Sequence, residues 1–176
     1  MESNANSYAE ALFSLAQDEK SEKEYLSSLY DVCSVFRENP EYPVFLSSYT
    51  VSKEKRIEAL STAFSASLPE NVLSFLCILC EKRNITQLEE ITREYEKMYF
   101  SAFNISKAYV TSAYPLDNEQ SAQLIKKLEE MTGRSVTAEF LTDKSLIGGI
   151  KAEIDGRIID YTVKNRLNKL REVMNK

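Results

Sequence analysis

Ile150-Lys151-Ala152-Glu153-Ile154-Asp155-Gly156-Arg157-Ile158-Ile159 reads as a β-hairpin. Ile150, Ala152 and Ile154 alternate with Lys151 and Glu153, and Asp155-Gly156 is a two-residue turn signal that folds Arg157 to Ile159 back onto the first arm. Glycine is confined to this end of the chain. Gly133, Gly148, Gly149 and Gly156 are its four glycines, and all lie after residue 132. A long glycine-free stretch rich in Ala, Leu, Glu and Lys suits helices joined by short polar turns. The expected fold is α+β, mostly α: an N-terminal six-helix bundle over 1–104, then a small β-α-β-β-α domain over 105–176.

Outward from the hairpin, Ala108, Val110 and Ser112 alternate as a strand that Pro115 ends. Asp117 then caps a helix, with Gln120 at capping-box spacing and Gly133 as its C′ residue. Val136, Ala138 and Phe140 alternate as the next strand, and a last helix is expected from about Asp160 to Val173. In the first part, helices are expected over about Asn6–Gln17 (with Ser7 or Asn4 as cap), Ser21–Glu38, a short piece after Pro43, a segment opening at Ser52, Glu70–Arg83 and Thr86–Phe103. Ser21 and Glu24 have capping-box spacing, and Ile57, Leu60 and Phe64 share one face of the fourth helix. Leu88, Ile91, Tyr95, Met98, Tyr99 and Ala102 follow the helical i, i+3, i+4, i+7 rule in the sixth.

Composition excludes several function classes. The chain of 176 residues is 43% apolar and 28% charged, with three Cys, no Trp and no His. The usual general base and the commonest transition-metal ligand are therefore missing. A net charge of -5 argues against a nucleic-acid partner, which requires a basic footprint. The charge is uneven: residues 1–104 hold 10 Lys+Arg against 17 Asp+Glu, and residues 105–176 hold 12 against 10. The longest apolar run, Phe75 to Cys80, is far short of the ~20 residues that cross a bilayer. With no signal or transit pattern at its start, the chain is expected to be unprocessed and to face the cytosol.

Cys77-Ile78-Leu79-Cys80 has redox-pair spacing, but it lies mid-helix in VLSFLCILC and reads as core packing, since a free Cys behaves as a small hydrophobe. Gly148-Gly149 leads into a strand rather than a helix, so a bulge or close backbone approach is expected in place of a phosphate loop. No carboxylate pair sits in an apolar context, and the carboxylates read as a solvated face. The sequence therefore carries no catalytic, cofactor or metal site.

Two helices carry more apolar surface than one core contact needs. In the first, Tyr8, Ala9, Ala11, Leu12, Phe13, Leu15 and Ala16 cover about 200° of the helical wheel; the fifth is apolar almost all round. Two compatible readings account for this: both helices sit centrally in the bundle, or they form a groove between them that takes an amphipathic helix from a partner. The last helix sets Val163, Leu167 and Leu170 on one stripe beside Lys164, Arg166, Lys169, Arg171 and Lys176, a solvated face or a landing site for an acidic partner helix or a membrane surface.

With these residues in view, the chain resembles the delta/oligomycin-sensitivity-conferring family of F-type ATP synthase subunits over nearly its whole length. The resemblance rests on Tyr8-Ala9-Glu10-Ala11-Leu12-Phe13 with Ala16, on Phe75-Leu76 through Glu81-Lys82-Arg83, and above all on Asp143-Lys144-Ser145-Leu146-Ile147-Gly148-Gly149-Ile150 with Ile154-Asp155-Gly156-Arg157-Ile158-Ile159-Asp160. Tyr161-Thr162 is a conservative departure, standing where a small residue and Ser are more usual in the family. The resemblance implies a non-catalytic stator, one copy per complex, peripheral on the cytoplasmic face of the bacterial cell membrane and serving ATP synthesis by proton transport. It implies that the helical domain binds N-terminal segments of the alpha subunits in a groove between the first and fifth helices, with Tyr8, Ala9, Leu12, Phe13, Ala16, Phe75, Leu76 and Leu79 as candidates. It further implies that the second domain holds the b-subunit stalk, with Val163, Leu167 and Leu170 as candidates. The competing readings are a small thiol-redox protein using Cys77 and Cys80, and a helical adaptor with unrelated partners.

Overall fold

The computed structural model describes residues 4–167. The chain divides into two compact units, one up to Tyr99 and one from Phe100. Helices α1 (Asn4–Glu19), α2 (Glu22–Glu38), α3 (Glu41–Ser47), α4 (Lys53–Phe64) and α5 (Glu70–Glu81) are followed by a 3₁₀ turn (Ile85–Gln87) and α6 (Leu88–Ala102). After them come β1 (Ile105–Ser112), α7 (Asn118–Thr132), β2 (Ser135–Thr142), β3 (Ile150–Ile154) and β4 (Arg157–Asp160). This is the α+β, mostly helical fold expected from the sequence; the hairpin's return arm is a strand in its own right.

The first unit is organised by one apolar core. Leu12, Tyr25, Leu29, Leu46, Leu60, Leu76, Leu79, Ile91 and Tyr95 are each at most 2% exposed. Burying each such side chain contributes about 1.5–3 kcal/mol. Phe13 meets Tyr95 edge-on at 5.3 Å, and Phe36 meets Phe64 at 6.3 Å, the T-shaped arrangement that aromatic quadrupoles favour.

Several local expectations are corrected. Helix α3 begins at Glu41, ahead of Pro43; a proline in the first turn is tolerated because its missing N–H has no intrahelical acceptor there. The box at Ser21 does not form: Ser21 Oγ turns back to donate to the Glu19 carbonyl and makes no cap bond. Ser7 lies inside α1 rather than capping it. Helix α5 stops at Glu81 because Arg83 adopts a φ of 61°. In α4 the inward position belongs to Arg56, with Leu60 and Phe64, while Ile57 is half-buried. Ala102 is exposed, although Leu88, Ile91 and Tyr95 of the same stripe are buried.

The second unit is a four-stranded sheet ordered β2-β1-β3-β4. Strand β1 pairs parallel with β2 and antiparallel with β3, and β4 closes the hairpin antiparallel to β3. Register places Val110 beside Ala152, and Ala108 between Ala138 and Ile154. With Leu124 and Leu128 of α7 these residues make the second core. Helix α7 has the expected capping box at Asp117 and Gln120 and the expected left-handed Gly133. At the hairpin, Asp155 and Gly156 have φ of 49° and 74°, as the turn requires. Ser106 Oγ donates to Asp155 Oδ2 at 2.7 Å and holds the turn against the start of β1.

Gly149 shows why a glycine pair precedes β3. Its φ is +88°, and a Cβ there would lie 2.4 Å from the Tyr161 carbonyl oxygen. Only a residue without a side chain fits beneath the segment leaving β4. That segment becomes helical at residue 163 rather than at Asp160, which ends β4. The expected continuation of this helix to Val173 lies outside the described residues.

Candidate partner-binding faces

Helices α1 and α5 run alongside each other in opposite senses, tied at both ends. Asn71 Nδ2, at the start of α5, donates to Glu19 Oε1 at the end of α1 at 2.5 Å. Toward the other end, Tyr8 packs edge-on against Phe75 at 6.3 Å and its hydroxyl accepts from Asn84 Nδ2 at 3.2 Å. Tyr25 Oη donates to Glu19, adding α2 to the first of these junctions.

The candidate residues on the two helices lie mostly on their inner sides. Ala9, Leu12, Phe13, Ala16, Phe75, Leu76 and Leu79 are buried in the bundle core, and Tyr8 is half-buried. They support the ground between the helices rather than presenting it. What the two helices present is a second set, one step around each wheel. On α1, Ala11 and Leu15 follow the half-buried Tyr8 at helical spacing and lead to Glu19; on α5, Ile78 follows the buried Phe75 and leads to Lys82. Leu15 is 39% and Ile78 50% exposed, and Ala11 is also exposed. Ala11 and Leu15 were legible as part of an over-wide apolar arc. Which part of that arc faces outward depends on the α1–α5 ties, which no wheel contains.

The thiols belong to the core. Cys77, Cys80 and Cys33 are all free. Cys80 is buried and its Sγ contacts the Leu46 carbonyl at 3.5 Å. Burial pushes its thiol up, against a smaller opposing pull from Arg56, so the thiolate needed for redox chemistry is disfavoured. Among the described residues, no group of His, Cys, Asp or Glu is assembled to hold a metal ion.

Arg56 is a feature that the periodicity reading missed. It is 2% exposed, and its Nη1 donates to the Leu46 carbonyl at 2.8 Å and the Cys80 carbonyl at 2.7 Å. Those carbonyls sit at the ends of α3 and α5, where partial negative charge accumulates. One guanidinium thus closes two helix ends, although its Nε is buried without a partner.

In the second unit, Val163 is 38% and Leu167 56% exposed, while Leu170 lies outside the described residues. Val163 is anchored by its N–H to the Gly148 carbonyl at 3.0 Å, and the neighbouring Tyr161 is 65% exposed. Tyr161 also edges a cleft of about 420 Å³ lined by Leu124, Leu128, Met131, Ile150 and Ile159. No described helix is long and apolar enough to cross a membrane.

Comparison with known proteins places these features in context. The family described as ATP synthase delta (OSCP) subunit matches residues 5–174. ATP synthase subunit delta of Clostridium beijerinckii is 32% identical over 167 residues, covering 95% of this chain and 93% of that protein. The subunit of the same name from Acetivibrio thermocellus is also 32% identical, covering 95% and 94%. Among solved structures, a chain in the cryo-EM structure of the Toxoplasma gondii mitochondrial ATP synthase hexamer superposes with a TM-score of 0.70 over 99% of both chains. At 17% identity that likeness speaks to the fold.

Proposed function

The chain belongs to the ATP synthase delta (OSCP) family, and from that premise we propose how its two units serve the complex. The protein is a non-catalytic peripheral-stalk subunit of the F-type ATP synthase, part of a membrane-associated assembly. It performs no bond chemistry; its work is mechanical, holding the catalytic hexamer still while the rotor turns.

In this reading the helical domain, taken as residues 1–104 so that α6 stays whole, receives N-terminal helices of the alpha subunits, one of them between α1 and α5. Tyr8, Ala11, Leu15 and Ile78 meet that helix, and the buried Ala9, Leu12, Phe13, Ala16, Phe75, Leu76 and Leu79 hold the two stripes at their spacing. The second domain, taken as residues 105–176, takes the end of the b-subunit stalk on Val163, Leu167 and Leu170, with Tyr161 close by in sequence. One copy serves each complex, on the cytoplasmic face of the bacterial membrane.

The observation that carries this reading is the exposed apolar stripe of Ala11, Leu15 and Ile78 between two helices whose inner faces are already filled. A partner helix laid there needs no rearrangement of the core. The test is calorimetric titration of the chain with a peptide of the alpha subunit's first ~20 residues, a length that makes about five helical turns. Leu15→Asp with Ile78→Asp is expected to weaken binding at least about 30-fold, since each buries a carboxylate against the partner's apolar face. Unchanged far-UV circular dichroism would accompany that loss. Full affinity in the folded double variant would place the peptide elsewhere.

A further inference from the structure

The ground between α1 and α5 is electrically polar along its length. Where α1 ends and α5 begins, Asp18, Glu19 and Glu70 stand against Lys20, an excess of two negative charges. At the opposite end, Lys82 and Arg83 follow α5, and Arg83 stacks on the exposed Tyr49 ring at 3.6 Å. Asp18, Glu70 and Lys82 make no ion pair among the described residues. The nearby Glu81 is already engaged by Lys53 at 2.6 Å, leaving the basic end uncompensated. Between the two ends the stripe nearest α5 is uncharged, with Ala11 and Leu15 on α1 and Ile78 on α5; the exposed Glu10 lies farther round α1, on the row of Ser14, where it accepts from Asn6 Nδ2 at 2.8 Å.

We propose that the partner helix received here has its charge segregated along its length, basic where it passes Asp18 and Glu70 and acidic where it passes Lys82 and Arg83, and that this match sets the direction in which the helix lies. The inference rests on the reading of α1 and α5 as a helix-binding face and adds the partner's charge pattern and polarity. An apolar stripe alone is indifferent to direction, because a row of Leu and Ile packs either way. Charge is what distinguishes the two orientations, by attraction in one and like-charge opposition in the other. A helix with acidic residues in its first half and basic residues in its second therefore lies parallel to α1, since α1 runs from the Asn84 end toward the Asn71 end.

The experiment uses the full chain, isotopically labelled, and two synthetic helical peptides sharing one apolar stripe. One peptide carries Glu in its first half and Lys in its second; the other has these charges exchanged. Each bears a nitroxide at its N-terminus. The acid-first peptide is expected to broaden the amide signals of Lys82 to Asn84, and the exchanged peptide those of Asp18 and Asn71. Raising salt from 20 to 500 mM is expected to weaken both about fivefold, as exposed charges become screened. Binding in which both peptides broaden the same end, or both ends equally, would overturn the proposed polarity while leaving the helix-binding face intact. Failure of both peptides to bind, or binding that survives Leu15→Asp with Ile78→Asp, would remove the face and the polarity with it.

Discussion

Arg56 ties α3 to α5 through their last carbonyls, and nothing about its surroundings lets a neutral side chain substitute for it. Replacing it with Met of similar length would orphan two buried acceptors, each costing about 1–3 kcal/mol. Arg56→Met is therefore expected to lower unfolding free energy by about 2–4 kcal/mol in urea titrations, with Arg56→Lys intermediate. A loss below about 0.5 kcal/mol would mean that water replaces both bonds. Its role was hidden in the sequence because a charged residue at i, i+4 and i+8 with Leu60 and Phe64 reads as polar, and Ile57 beside it offers a plausible apolar substitute. Tyr95 gives a second residue-scale test. Burial, followed by nearby Glu22 and Tyr25, pushes its hydroxyl well above the ordinary tyrosine range, while it donates to the Glu22 carbonyl at 3.1 Å. In the unfolded chain the group ionises near pH ~10. Its stabilising contribution is thus present below that pH and lost as pH rises from there toward the folded value. Stability should fall between pH 9.5 and 11, less steeply in Tyr95→Phe; equal slopes would assign the fall to other groups.

At the scale of elements, what was legible depended on whether local chemistry settled the geometry. Asp117 with Gln120 and Gly133 fix both ends of α7 within a few residues, and the structure has both. Ser21 with Glu24 has the same spacing, yet the turn after α1, with Lys20 at a φ of 57°, leaves the Ser21 hydroxyl pointed at Glu19. Spacing states which caps are possible; the preceding turn selects among them. Gly149 was legible as a close approach, and Gly133 as a helix stop, and the two predict different costs. Gly133→Ala meets nothing within 4 Å and should cost about 1 kcal/mol for its left-handed φ. Gly149→Ala adds a backbone collision at 2.4 Å and should cost about 2–4 kcal/mol. Thermal unfolding of the two variants side by side checks the difference; equal losses would mean that the segment after β4 can lift away.

For the whole molecule, the fold class was readable because glycine placement, the Asp155-Gly156 turn and the apolar periods all agree, and the family through the resemblance carried by residues 143–150 and 154–160. The proposed binding face was readable only in outline. Surplus apolar surface on α1 and α5 left room for a second contact, but the sequence candidates included the side chains that the core consumes, and the Tyr8–Phe75 and Glu19–Asn71 contacts are what separate the two sets. A stalk subunit makes its contribution by coupling distant parts, so coupling is what should be measured. Membranes bearing the synthase should be stripped of this chain and assayed for ATP-driven proton pumping before and after the purified protein is returned. Pumping is expected to disappear on stripping while ATP hydrolysis continues in the released hexamer, and adding the chain is expected to restore pumping in proportion to the amount bound. Pumping that persists without the chain, in membranes confirmed to lack it, would contradict the stator role.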